Sequence, residues 1–337
     1  MSHRFTRVLL VLSILVALFA WAAPGAEAAD PVWKVDFPNE DIPADYAHMN
    51  WRMSTDPFPQ AKLDKLKELG YNTDVSRAGM DTLQTVGGAD FTEKQFDWIL
   101  GKLKDAGIST DKLTVLDLRG ETHGLINGDV FMYWILYNYV NESIPTEEVL
   151  KIEAGLLEEL KKQDVVKMYQ NKNWGADFDS PMLEYNKPKI MSEEELVKSR
   201  GVKYVRFADT NHFRPDDHEV DLFVEFMGKL PADEWLYMHC YAGEGRTTNF
   251  MVMTDIYKNY KVASFDDIAA RQGLIGPVDV RTELAVTGKK HYTMKASVER
   301  RIFLQQFYRY AKDTDFKGKT WTEWCKERGL TLEYYPE

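Results

Sequence analysis

The sequence predicts an α/β fold, and three observations predict it. Short apolar runs of strand character alternate with stretches of helical period. The helical stretches open on recognisable caps, and no internal repeat or low-complexity tract interrupts the alternation. The expected core is a mainly parallel sheet flanked by helices.

In chain order, Thr92 and Gln95 make a capping box, and Phe96, Ile99, Leu100 and Leu103 share one helical face ending near Gly107. Leu113 to Leu118 reads as a buried strand. A helix is expected from Ile144 to Gln163, opening on Pro145-Thr146-Glu-Glu. Ser192, followed by three Glu, caps another helix. Val202 to Phe207 and Trp235 to Met238 read as further strands. Val220 to Leu230 and Asn249 to Tyr257 read as helices, Ser264 caps one more, and Val298 to Lys312 is a long amphipathic helix. With 337 residues, 44% hydrophobic and 28% charged, the chain can bury a sizeable core. It carries no clear linker, so residues 29–337 are expected to form one domain with insertions, including a small additional subdomain.

Residues 1–28 stand apart. Arg4 and Arg7 precede an apolar run from Val8 to Ala23, broken by Pro24-Gly25 and followed by Ala26-Glu27-Ala28. The run is short for a membrane span, and its flanks suit a cleaved signal peptide; an uncleaved anchor is the alternative. Cleavage predicts a periplasmic or extracellular protein with no stable membrane association. The net charge is −11, and losing two Arg and one Glu makes it −12. That charge disfavours nucleic acid but leaves room for a small polyanion where cations converge. Two cysteines, Cys240 and Cys325, are too few for a disulfide framework. They form either one bridge or a thiol kept for chemistry.

Chemistry concentrates in His239-Cys240-Tyr241-Ala242-Gly243-Glu244-Gly245-Arg246-Thr247-Thr248, set between a strand and a helix. Gly243 and Gly245 let the backbone curl so that successive N–H groups share one concavity. The following helix adds unpaired donors and the positive end of its dipole. A phosphate there would meet the planar guanidinium of Arg246, and the same donors would favour a Cys240 thiolate. In-line attack then gives a phosphocysteine that water hydrolyses, with the Thr247 hydroxyl placed to assist the leaving sulfur. His239 is expected to orient the Cys loop.

This block, with Phe-Met-Val-Met-Thr-Asp after it, resembles the protein-tyrosine-phosphatase-like inositol polyphosphatases, the bacterial cysteine phytases. Asn50-Trp51-Arg52, the run from Asp117 to Gly124 containing Arg119, Glu121 and His123, and Gln306 to Tyr310 carry the resemblance further. It implies a protein-tyrosine-phosphatase-like core with a small extra subdomain, no metal or other cofactor, and stepwise removal of phosphates from myo-inositol hexakisphosphate. By position it implies substrate contacts at Arg52, Lys295, His212 and the loop residues Tyr241, Ala242, Gly243, Glu244 and Gly245. Arg119, Glu121, His123 and His239 are expected beside or behind the loop.

One position departs from that pattern. The family's proton donor is an Asp four residues before a Pro, and counting back from Pro215 reaches Asn211. An amide cannot replace a carboxylic acid in a role typically worth about 10²–10⁴-fold. Asp209 and Asp216 are the candidate replacements, with His212 or solvent as alternatives. His212, Asp216, Asp217 and His218 also admit a metal reading, although Asp216 and Asp217 read more simply as helix-start residues. Three functions therefore stand open: an inositol polyphosphate phosphatase, a protein phosphatase using the same loop, and an inositol-phosphate-binding protein without turnover.

Overall fold

The computed structural model describes residues 31–37, 45–135, 138–170, 182–281 and 291–330, without the side chains of 36–37 and 291–297. The expected signal peptide lies outside these residues. Strands β1 (Val32–Phe37), β2 (Arg52–Met53), β3 (Thr85–Gly88), β4 (Leu113–Asp117), β5 (His123–Ile126) and β6 (Asp129–Trp134) come in the first part of the chain. Strands β7 (Val165–Gln170), β8 (Met182–Asn186), β9 (Ile190–Met191), β10 (Lys203–Arg206) and β11 (Trp235–His239) follow. The helices are α1 (Gln60–Glu68), α2 (Glu93–Asp105), α3 (Thr146–Lys161), α4 (Glu193–Ser199) and α5 (Asp217–Lys229). They continue with α6 (Gly245–Asn259), α7 (Phe265–Ile275), α8 (His291–Thr314) and α9 (Trp321–Glu327).

The strands form two sheets. The core sheet has the order β10-β4-β11-β3-β2, with β10, β4, β11 and β3 parallel and short β2 antiparallel at the edge. All five residues of β4 are buried, as a parallel strand covered on both faces must be. β11 pairs with both β4 and β3, so its last residue, His239, delivers the next one, Cys240, near the middle of the sheet. Helix α6 then leaves the C-terminal end of β11, the position from which open α/β sheets bind ligands. It is buried from Arg246 through Ile256, packed against α5, α7, α8 and the sheet through Phe223, Phe250, Ile268, Phe303 and Phe307.

Beside the core sheet, which is the mainly parallel one expected, stands a second sheet of mostly antiparallel strands. Its order is β8-β7-β1-β6-β5-β9, and every pairing is antiparallel except β1 with β7. It buries Val35, Phe131, Leu157, Leu160 and Met168 in a small core of its own with α3. Its β6 residues Met132 and Trp134 pack on Tyr241 and Ala242, so this sheet walls one side of the Cys240 loop.

The caps behave as read: Thr92 and Ser192 complete capping boxes, and Ser264 accepts from the Asp267 N–H. Helix α6 begins inside the loop, four residues before the expected Asn249, because Gly245 already has helical geometry. Both cysteines are free and buried, so the single-bridge alternative is not realised. No helix among the described residues is long and apolar enough to cross a membrane.

Candidate active site

The loop from Cys240 to Arg246 is shaped by donors that take its carbonyls away from the centre. The Asp90 N–H donates to Tyr241 O at 3.3 Å, the Asn50 amide to Ala242 O at 2.8 Å, and Arg52 Nη1 to Gly243 O at 2.9 Å. With successive carbonyls held outward, the N–H groups of the same peptides turn toward the concavity. Gly243 sits at φ +69°, and a Cβ there would run into the Gly88 carbonyl and stand 2.6 Å from Ala89 N. Only glycine satisfies both demands.

Cys240 is buried at the foot of this cradle. Burial alone would raise its pKa, but the Arg246 guanidinium and the hydroxyl and N–H of Thr247 outweigh it, and the thiol is held below its ordinary value. The Thr247 hydroxyl is buried with no other polar partner among the described residues, so the Cys240 sulfur is the group it serves. Arg246 is fixed by two bonds to Glu121, Nη1 to Oε2 at 2.7 Å and Nη2 to Oε1 at 3.0 Å, while Nη1 also donates to the Asp209 carbonyl at 3.0 Å. Arg119 braces Glu121 through Nε at 3.2 Å, bonds Asp90 at 2.5 Å, and stacks 5.5 Å from the Tyr241 ring.

A second charged layer lies behind the loop. His239 Nε2 meets Glu193 Oε1 at 2.8 Å, and His123 Nε2 lies 3.2 Å from Glu193 Oε2 and 3.1 Å from Asp117. Arg206 closes the network on Glu153 at 2.7 Å and on Asp117 at 3.3 Å. Asp117, Glu193 and His239 have metal-ligand spacing. However, Arg206 and the Tyr204 hydroxyl, 2.7 Å from Asp117, already supply the positive charge and the donor that the carboxylate needs. The residues thus fit a hydrogen-bonded network better than a cation site.

The segment facing the loop runs from Asp209 to Asp217. Thr210 Oγ1 accepts from Ser143 N at 3.1 Å, Arg300 Nε on α8 donates to Phe213 O at 2.8 Å, and Arg214 bonds Pro215 O and Asp217 Oδ1, both at 2.8 Å. Arg214 Nε also lies 3.3 Å from Glu299, whose pKa burial pushes up to about 7 against the pull of Arg214. Arg300 reaches over Gly245, where its Nη1 occupies the space a Cβ would need. Asn211 and His212 are half-buried, His212 at φ +72°. Asp209 is fully enclosed, and Asp216 opens α5 half-buried with no side-chain cap bond.

This geometry matches known proteins. The model of the PTP-like phytases, described by inositol hexakisphosphate, matches residues 116–258. The PTP-like myo-inositol phosphatase of Mitsuokella multacida, solved in complex with myo-inositol-(1,3,4,5)-tetrakisphosphate, superposes with a TM-score of 0.77 at 34% identity over 94% of this chain and 50% of that one. The chain belongs to the PTP-like phytase family. A PTP-like phytase from Bdellovibrio bacteriovorus superposes with a TM-score of 0.63 at 28% identity, covering 90% of this chain and 98% of that one. Effector protein hopD2 of Pseudomonas syringae pv. tomato is 28% identical over 91% of this chain. The chain spans 62% of that effector's length and half of the Mitsuokella protein, itself a tandemly repeated phytase.

The family's expected contacts take the following places in the structure. Arg52 is 1% exposed and spends Nη1 on Asn50 O and Gly243 O and Nη2 on Thr248 Oγ1 at 3.2 Å. It braces the loop from below, and burial lowers its pKa to about 10 although Cys240 favours its charge. Lys295 lies on α8, with its side chain outside the described residues. Glu121 and His123 are not paired through their side chains: His123 Nδ1 meets the Glu121 carbonyl at 2.9 Å, while the Glu121 carboxylate serves Arg246. Glu244 is half-exposed at the N-cap of α6, its carbonyl accepting from Thr248 N at 2.9 Å. In the metal reading, Asp217 is committed to Arg214 and Trp321, and His218 is exposed on α5. Sequence reasoning missed Arg300, Glu193 and Asp90. Arg300 stands between Glu299 and Arg301 with no local motif, and a contact across 87 residues leaves no mark on spacing.

Proposed function

We propose that this chain is an exported phosphomonoester hydrolase that removes phosphates stepwise from myo-inositol hexakisphosphate through a phosphocysteine intermediate. The observation that supports it most is the thiol of Cys240, held below its ordinary pKa at the foot of an N–H cradle closed by Arg246. A bound phosphate takes the free N–H donors and the remaining face of the guanidinium. The Cys240 thiolate attacks phosphorus in line, the ester oxygen departs as an alcohol, and water later releases inorganic phosphate and restores the thiolate. A Mitsuokella relative solved with an inositol tetrakisphosphate supports the substrate class, and the pattern of residues 1–28 supports export.

Asn211 favours a second reading, in which the chain binds inositol phosphates without turnover. The deciding experiment is phosphate release from inositol hexakisphosphate by residues 29–337, with Cys240→Ser as control and no added metal. Release that disappears in the control is the expected result. Binding without release transfers the conclusion to the second reading.

A further inference from the structure

We infer that Asp209 donates the proton to the departing alkoxide, replacing the acid lost at Asn211; the inference rests on the cysteine phosphatase reading above. The neutral Asn211 amide has no proton of suitable acidity to give. Asp209 stands two residues earlier on the same segment. Its carbonyl accepts from Arg246 Nη1 at 3.0 Å, tying it to the guanidinium that closes the phosphate cradle. The opposite strand end leaves no slack, since a Cβ on Gly120 would stand 2.8 Å from the same carbonyl oxygen.

The Asp209 side chain is 2% exposed, and neither carboxyl oxygen has a hydrogen-bond partner. A carboxylate without donors is costly to bury, so the resting group holds its proton. Burial, and the facing carboxylates of Asp216 and Glu219, push its pKa well above the usual carboxylate range, against the opposing pull of Arg300 and Arg246. Those two guanidiniums are the groups that would stabilise the anion left once the proton has gone. Asp216 is a poorer donor, because it is half-buried at the start of α5, beyond the Arg300 contact with Phe213.

The step balances. As the Cys240 Sγ–P bond forms and the P–O ester bond breaks, the bonding electrons pass to the ester oxygen, which takes the Asp209 proton and leaves as an alcohol. Water then attacks phosphorus and returns a proton to the Asp209 carboxylate, while the S–P bond breaks to regenerate the thiolate.

Acid catalysis matters when the leaving group is a poor one. Asp209→Asn should lower turnover of inositol hexakisphosphate by roughly 10²–10⁴-fold, yet lower that of p-nitrophenyl phosphate, whose phenolate leaves unaided, by less than about tenfold. Equal loss on both substrates, or no loss on the inositol ester, overturns the inference. A wild-type measurement removes any question of folding. Across aryl phosphates of rising leaving-group pKa, a nearly flat rate supports proton donation, and a steep decline overturns it. Should the wild-type chain show no Cys240-dependent release from any of these esters, the phosphatase reading itself fails. Release from aryl esters alone overturns only the role of Asp209.

Discussion

Arg246 and Glu121 face each other through two bonds of 2.7 and 3.0 Å, with both side chains essentially removed from solvent. The carboxylate neutralises the guanidinium, orients its plane and is itself held by Arg119. Glu121→Gln keeps the shape and removes the charge. Breaking one side of a buried pair typically costs about 3–5 kcal/mol, and the variant should lose stability on that order in urea unfolding. Inorganic phosphate, by supplying a substitute counter-charge, should stabilise the variant more than the wild type. A variant with unchanged unfolding would show that the pair is not a structural anchor.

Gly243 tests the cradle without altering any charge. Its φ of +69° and its closeness to the Gly88 carbonyl leave no space for a methyl group. Gly243→Ala should therefore shift the loop while leaving the two sheets folded. A displacement of about 1 Å can cost roughly 10²-fold in rate, and phosphate release should fall on that order with far-ultraviolet circular dichroism unchanged. Wild-type turnover in the variant would mean that the loop relaxes freely.

These two sites divide what the sequence carries from what it hides. The Cys240 to Thr248 loop was legible because its chemistry is local: glycines, a cation and a helix start within nine residues. Strands β4 and β11 were legible because burial on both faces makes a nearly continuous apolar run. The second sheet was not. In β7 buried Val166 and Met168 alternate with exposed Val165 and Lys167, and β8 carries no buried residue, so their apolar runs are broken. Arg52 illustrates a different limit. The resemblance alone places Arg52 near the loop, and the fold adds that it holds the loop through Gly243 O and Thr248 Oγ1.

Thr247 offers a direct reading of the thiolate. The Cys240 pKa is depressed, against the effect of burial, by Arg246 and by both polar groups of Thr247. Thr247→Val removes the hydroxyl and retains the N–H. The midpoint of iodoacetamide alkylation against pH should move upward, toward the ordinary thiol value near 8.5, and Thr247→Ser should restore it. An unmoved midpoint would assign the depression to Arg246 and the loop backbone alone.

His123 ties stability to alkaline pH. Burial and the guanidiniums of Arg119 and Arg206 oppose its charge, yet Asp117 and Glu153 outweigh them and push its pKa up to about 10. A histidine in an unfolded chain titrates near 6.5. Because the folded value is the higher one, the folded protein binds the proton more tightly. The resulting stability is fully present below about pH 6.5 and is lost as pH rises through about 10. Urea midpoints should fall between pH 7 and pH 10, and His123→Gln should fall less steeply over the same interval. Nitrogen NMR of the ring at pH 8 should show both nitrogens protonated. A neutral ring at pH 8 would remove the basis for this pH dependence, and would leave Asp117 to rely on Arg206 and the Tyr204 hydroxyl.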